Sequence, residues 1–416
     1  MGVELEADDR ATLDGERGEG AALAMRLVVG SAEIARAPRL RDVSGAHIDS
    51  CLDHGQAGLD FAERLLAGGA EVSVPTTLNV SSLDLLHPEL VRLDAPTRER
   101  SRRLMDAYAA MGCRQTWTCA PYQLPDRPAL GQHVAWAESN AIVFANSVLG
   151  ARTNRYADFI DICAAITGRV PEHGLHTDAG RLATLVLRLD DEARDLLDDD
   201  LAFPLLGHVL GRRAGVRVVA IDGLAPGTSE ERLKAIGAAA ASSGAVALFH
   251  AIGVTPEAPT WEAVAGEDAE EGTVTGADLR AALDELSPVP LGAEIGAVSV
   301  GTPHASTGEL RRLADLVTED PPRVPLFVNT GRHQLAADGS LAEDLAGSGV
   351  TVVTDTCTYL TPILHGGGGP VMTDSGKWAW YAPTNLGVTV AMGSLEDCVR
   401  SAATGRVVRR DARWSP

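Results

Sequence analysis

Side chains capable of chemistry crowd one stretch of this chain. It reads Cys119-Ala-Pro-Tyr122, then Gly131-Gln-His-Val-Ala-Trp-Ala-Glu-Ser139, then Ala145-Asn-Ser-Val-Leu-Gly-Ala-Arg-Thr-Asn-Arg155. A thiol, an imidazole, a carboxylate, amides, hydroxyls and two arginines fall there among Ala, Val and Trp residues that would otherwise simply pack. Buried polar groups must be hydrogen-bonded or coordinated, so a segment this mixed is expected to line a site rather than fill a core. The chemistry open to it is acid–base work at Glu138 or His133, metal ligation at Cys119 and anion binding at Arg152.

The elements that must hold these groups are legible in part. Ala21 to Ala35 carries a helical apolar period, Val72 to Val74 reads as a strand leading into Thr76-Thr-Leu-Asn79, and about Arg98 to Met111 reads as a helix. From about residue 215 the chain alternates. Strand-like runs are Val216 to Ile221, Ala245 to His250, Ala297 to Val300, Pro325 to Asn329 and Val350 to Val353. Helix-like runs at Ser229 to Ala241, Thr275 to Leu286, Ser306 to Val317 and Leu341 to Ala346 separate them. Such alternation predicts βαβ units and a parallel sheet, and sites of open α/β sheets form beyond the carboxyl ends of the strands. The loops falling there hold His250 with Glu257, Thr302-Pro-His304, Thr330-Gly-Arg-His333 and Asp355-Thr-Cys357. Further on, Gly366 to Gly369 reads as a mobile loop or lid, and Ser375 and Lys377 sit among aromatics that can equally be core.

Composition bounds the function. The chain has 416 residues, 45% apolar and 22% charged, as expected of a soluble globular protein of two or three packed units. The net charge of -21, concentrated in runs such as Asp198-Asp-Asp200 and Glu267 to Glu271, reads as solvated faces and loops and argues against a nucleic-acid partner. No apolar run approaches a membrane span, and the N-terminus shows no targeting signal, so a cytoplasmic protein is expected. Six widely spaced cysteines are then small buried hydrophobes for the most part, not a disulfide framework or a compact zinc module.

Read together, the motifs resemble the large, catalytic subunit of the aconitase X family, of the cis-3-hydroxy-L-proline dehydratase type. The resemblance spans nearly the whole chain. It rests on Leu13-Asp-Gly-Glu-Arg-Gly18, Gly45-Ala-His-Ile-Asp49, Val74-Pro-Thr-Thr-Leu-Asn79, the stretch from Cys119 to Arg155, His173-Gly-Leu-His176, Phe249-His250, Val254 to Ala258, Gly301-Thr-Pro-His304, Asp355-Thr-Cys357 and Ser375-Gly-Lys-Trp378. It implies aconitase-like, multi-layer α/β domains with largely parallel sheets. Residues 1–210 would form an N-terminal part carrying the Cys119 to Arg155 segment, and 211–416 the α/β domain or domains with site loops at strand ends. The small swivelling domain would reside on a separate small subunit.

The resemblance further implies a hydro-lyase that removes water from cis-3-hydroxy-L-proline or a related small hydroxy acid. Hydroxide is a poor leaving group and the proton beside a carboxylate is weakly acidic, so a Lewis acid and a base are both needed. Iron or an iron–sulfur centre would supply the first. Cys119 and Cys357 lie in the family's ligand motifs, and Thr302 occupies a third position that is often Cys in the family. Two thiolates favour a two-iron cluster or a single iron over a four-iron cubane, with loss of the metal as the remaining alternative. Glu138, His133 and Lys377 are the candidate catalytic groups, with the base itself expected on the small subunit. Thr76, Thr77, Asn79, Ser139, Arg152, Asn154 and Ser375 are the candidates for binding substrate. Structural roles compete at several positions: Cys113 as a further ligand or a packed thiol, and His47, His176, His250 and His304 as site or merely satisfied histidines. Ala120, Asn140, Tyr156 and Asp374 depart from the family pattern and motivate an alternative, a repurposed isomerase, decarboxylase or cyclase.

Overall fold

A computed structural model describes residues 2–364 and 368–414. The lid reading of Gly366 and Gly367 therefore lies outside the described residues. Residues up to Leu83 together with Leu93–Leu182 make one compact unit, and Asp84–Arg92 with the chain from Ala183 onward make a second.

In the first unit, the expected helix at Ala21 runs Glu19–Ile34 and buries Ala24, Val28 and Ala32, one turn apart on a single face. The helix expected at Arg98 runs Ala95–Ala110, capped by Asp94, whose carboxylate accepts from Thr97 N at 2.8 Å. The strand expected at Val72 to Val74 does not form. Val72 N and Ser73 N donate to Met111 O and Ala165 O, Pro75 brings no N–H, and the ladder begins at Thr76. The unit's parallel sheet has three short strands, β1 (Ala46–Ile48), β2 (Thr76–Leu78) and β3 (Ala135–Trp136), in the order β2-β1-β3. An antiparallel pair, Leu40–Asp42 with Arg169–Pro171, lies apart from it.

The second unit holds two parallel sheets. One comprises β4 (Ala183–Leu189), β5 (Val219–Asp222), β6 (Phe249–Ala251) and β7 (Ala265–Val274), in the order β6-β5-β4-β7. Sequence reading missed β4, and it took the acidic run at Glu267 for a solvated loop or face. That run is β7, an edge strand whose charged side chains face outward, the arrangement that keeps an edge from pairing with other chains. The other sheet comprises β8 (Ala297–Ala305), β9 (Leu326–Thr330), β10 (Val350–Val353), β11 (Val371–Thr373) and β12 (Val390–Met392). Its order is β10-β9-β8-β11-β12, all parallel, over a core that includes Val298, Val300, Leu326, Val328, Val350, Val352, Met372 and Ala391. Parallel strands are covered on both faces, which is why these strands are rich in Val and other apolar residues. The architecture is thus mixed α/β with largely parallel sheets. Among the described residues no helix is long and apolar enough to cross a membrane.

Each parallel sheet reverses its order beside its first strand, at β1, β4 and β8. Crevices at such switch points, beyond the carboxyl ends, are where α/β sheets bind ligands.

Candidate active site

At the carboxyl edge of the first unit's sheet, each strand delivers a polar residue. Asp49 follows β1, Asn79 follows β2 and Glu138 follows β3 by two residues. Asn79 Nδ2 donates to the Asp49 carboxylate, and Asp49 N donates to Asp161 Oδ2 at 2.8 Å. Burial, then the Glu138 carboxylate, push the Asp49 carboxyl up to about 7, against the opposing bond from Asn79. Glu138 is buried and serves as N-cap of the helix Ser139–Ser147, accepting from Ala141 N at 2.8 Å. Ser139 Oγ donates to its other oxygen at 3.2 Å. Asn140 Nδ2 also donates to Glu138 and, at 3.0 Å, to the backbone oxygen of Cys119. Cys119 is itself buried, just past Thr118, whose N bonds Leu78 O at the end of β2.

Other predicted residues sit elsewhere in this unit. His133 precedes β3, five residues before Glu138, about 16 Å away along an extended strand, at the amino edge of the sheet. Its Nδ1 lies 2.9 Å from His176 Nδ1, with the rings stacked, and His176 Nε2 meets the Tyr156 hydroxyl. Burial lowers His133 to about 4, with Arg41 and Arg152 adding to it, so it is a neutral imidazole near pH 7. Arg152 bridges to His133 and pairs with Asp178 at 2.5 Å. Asn154 accepts from Leu175 N at 2.8 Å and donates to His173 O at 3.0 Å, holding the turn at His173. Thr76 Oγ1 donates to Val74 O, and Thr77 Oγ1 bonds His47 Nδ1, each at 2.8 Å. The structure thus brings Asn79, Glu138, Ser139 and Cys119 to one edge with Asp49, and gathers His133, Arg152 and Asn154 in a separate histidine-rich cluster. Cys113 is a packed thiol: burial and Asp161 push it up to about 12, far from the thiolate a metal needs.

In the second unit, the switch point of the five-stranded sheet lies between β8 and β11. Gly301 has φ 77°, and a Cβ there would stand 2.5 Å from Asn329 O, so only glycine fits. The register of β8 on β9 slips between Val300 and Ala305, a bulge that re-aims the residues after Gly301. Thr302 Oγ1 accepts from Asn329 Nδ2 at 3.3 Å. His304, two residues on, has its donor nitrogen within 4.8 Å of Cys357 Sγ, and both side chains are buried. His304 Nε2 donates to Thr356 O at 3.3 Å, which places the lone pair on Nδ1. Burial lowers its pKa to about 3, so the ring is neutral, the form that binds metals.

A buried polar lattice fixes the Cys357 turn. Asn329 accepts from Thr358 N at 2.9 Å, Thr358 Oγ1 bonds Ser299 Oγ at 2.7 Å, and Trp378 Nε1 donates to Thr358 Oγ1 at 3.0 Å. Ser375 caps the helix Gly376–Leu386 by accepting from Trp378 N at 3.1 Å. Lys377, in the first turn of that helix, is 97% buried with Nζ 5.8 Å above the Tyr359 ring. A neutral imidazole beside a thiol is a donor set that fits iron, zinc or an iron–sulfur centre better than hard, oxygen-seeking cations. Sequence reasoning weighed His304 only as an even choice and missed Asp49. The sign for Asp49 is a lone carboxylate ending a short, fully buried strand, Ala46-His-Ile48.

Comparisons with known proteins point the same way. Residues 2–179, 183–284 and 295–404 match family models described as the aconitase X first, second and third domains. The chain is 43% identical over 415 residues to the cis-3-hydroxy-L-proline dehydratase of Pseudomonas aeruginosa, covering 97% of this chain and 71% of that protein. It is 37% identical over 406 residues to the phosphomevalonate dehydratase large subunit of Methanothermobacter thermautotrophicus, covering 96% of this chain and 98% of that one. The crystal structure of Thermococcus kodakaraensis aconitase X in its holo-form superposes with a TM-score of 0.85 at 31% identity, over 96% of this chain and all of that one.

Proposed function

The chain belongs to the aconitase X family and is a hydro-lyase, and from that premise we propose that it removes water from cis-3-hydroxy-L-proline or a closely related small hydroxy acid. The observation that carries this reading is the buried His304–Cys357 donor pair at the switch point of the five-stranded sheet. Greater identity to the hydroxyproline enzyme than to the phosphomevalonate enzyme, 43% against 37%, supports the substrate class.

In this reading His304 and Cys357 would hold iron or an iron–sulfur centre, with Cys119 assigned as a further thiolate ligand from its family motif. Bound there, the metal supplies a Lewis acid for the leaving hydroxyl oxygen. The two thiolates favour a two-iron cluster or a single iron. Asp49, kept protonated towards neutral pH by burial and by Glu138, gives its proton to the departing hydroxide so that it leaves as water. Asn79 orients Asp49, and Glu138 and Ser139 frame the same edge. Lys377 and Ser375 hold the substrate carboxylate through charge-assisted and hydroxyl bonds, and Thr77 is a further donor. We assign His133, Arg152, Asn154 and Thr76 to shaping the first unit, because their polar atoms are bonded within the histidine-rich cluster or, for Thr76, to the backbone of Val74.

A small swivel-domain subunit completes the enzyme in this reading and brings the base. The designation of the M. thermautotrophicus relative as a large subunit supports it. Six buried free thiols favour a reducing, cytoplasmic setting. The test is to reconstitute the chain anaerobically with iron, sulfide and a swivel-domain subunit, and to follow loss of cis-3-hydroxy-L-proline. Turnover to the cyclic imine, formed as the enamine product tautomerises, is the expected result. An assembled, iron-loaded protein that leaves hydroxyproline intact overturns the substrate, and one that is fully active without iron overturns the metal.

A further inference from the structure

The loop that carries Cys357 has an unusual anchor. Asp355, two residues before the thiol, has φ 61°, the left-handed region that a non-glycine residue enters at a cost. Its carboxylate is fully buried and is gripped in a fork by Arg332, Nε to Oδ1 at 2.5 Å and Nη2 to Oδ2 at 2.6 Å. Arg332 opens the short helix after β9, and about a third of its side chain is exposed. The bonds on either side of Asp355 are of another kind. Thr354 is tied through N and Oγ1 to Asp84 at 2.9 and 3.0 Å, and Thr358 N is tied to Asn329. Between these pins, the Arg332 fork and a 2.9 Å bond from Leu85 N hold the Asp355 side chain.

Removing Arg332 would leave a buried carboxylate without its cation, and the cheapest relief is for Asp355 to turn outward. That motion would turn the peptides that follow, including the one between Thr356 and Cys357, whose carbonyl oxygen on Thr356 accepts from His304 Nε2. We propose that Arg332 is a positioning residue for the metal centre: its fork on Asp355 holds the left-handed turn that sets Cys357 Sγ against His304. The inference rests on the metal reading above and adds to it a residue that touches neither metal nor substrate. Arg332 was part of the Thr330-Gly-Arg-His333 loop noted in the sequence, and the activity as derived gives it no role.

Cobalt(II) tests it, because thiolate-to-cobalt charge transfer reports sulfur ligation without any catalytic assay. Metal-free wild type, Arg332→Gln, Arg332→Lys and a control, Arg400→Gln, are titrated anaerobically. Arg400 is also paired with an aspartate, its Nη1 donating to both carboxylate oxygens of Asp320 at 2.7 and 2.8 Å, far from the site in sequence and half-exposed. Arg332→Gln should bind cobalt about 10- to 100-fold more weakly with an altered charge-transfer band, the usual size of effect for an outer partner of a metal ligand. Arg332→Lys should recover part of the loss, and Arg400→Gln should match wild type. If Arg332→Gln gives no cooperative unfolding transition, Arg332→Lys alone decides, by a weakened or wild-type titration. Wild-type affinity and spectrum in the Arg332 variants overturn the inference while leaving the metal centre standing. A wild type that shows no thiolate band overturns the metal centre and this inference with it.

Discussion

Asn140 Nδ2 donates to the backbone oxygen of Cys119 across 3.0 Å and also reaches the Glu138 carboxylate, while Asn140 Oδ1 accepts from the Tyr122 hydroxyl at 2.8 Å. One buried carboxamide therefore ties the backbone of a proposed metal ligand to the carboxylate that tunes Asp49. A serine hydroxyl at this position would be too short to make all three bonds.

Asn140→Ala should destabilise the protein by about 1–3 kcal/mol, because it removes bonds made in a buried, low-dielectric setting. Asn140→Ser should recover less than half of that loss. Urea unfolding of the metal-free protein measures both, and an alanine variant as stable as wild type would show that the carboxamide merely fills space.

Cys357→Ser and His304→Ala should each lose most of the iron bound after anaerobic loading. The accompanying fall in kcat should be about 10³-fold, the scale of several kcal/mol of Lewis-acid stabilisation. Metal analysis and turnover are measured on the same preparations. Full iron content in either variant would remove that residue from the ligand set.

Asp49 predicts a pH dependence of definite sign. Its folded pKa of about 7 lies above the ordinary 3.8, so between those values the folded state holds a proton that the unfolded state has released. Stability from this group therefore falls as pH rises through that window, and the Asp49→Asn curve should be flatter. If Asp49 is the proton donor, kcat/KM should also fall above about pH 7 and the limb should disappear in Asp49→Asn. A limb that survives the substitution would assign the acid elsewhere.

Lys377→Gln should raise KM about 10- to 100-fold with a smaller change in kcat, as loss of a charge-assisted bond of roughly 1.5–3 kcal/mol implies. A variant whose kcat falls while KM holds would place Lys377 at the reacting atoms instead.

His133→Asn should leave kcat near wild type while lowering thermal stability, since His133 is bonded to His176 at the opposite edge of the sheet from Glu138. A collapse of kcat at unchanged stability would return His133 to the catalytic groups.

Much of the second unit was legible because its physics is local. Val350 to Val353 is a run of β-branched residues, and Ser306 with Glu309 forms a capping box, so a strand and a helix start where they were expected. Short strands were harder. Ala46–Ile48 and Ala135–Trp136 have too few residues to show a period, and β7 hides under an acidic run because an edge strand needs no apolar outer face. Val72 to Val74 misled for the converse reason: its β-branched residues favour a strand, but Pro75 and the partners of its N–H groups decide otherwise.

The sequence by itself determined which side chains were available for chemistry and that parallel α/β units would present them on loops, because residue types and periodicity are properties of the chain alone. Only the tertiary structure decided which of them meet. Asp49, Asn79 and Glu138 come from three strands far apart in sequence, and strand order alone sets them on one edge. His133, just five residues from Glu138, is carried to the other edge because an extended chain rises about 3.3 Å per residue. His304 stands beside Cys357 because a glycine and a bulge turn the end of β8, and the Arg332 fork on Asp355 sets the turn before the thiol.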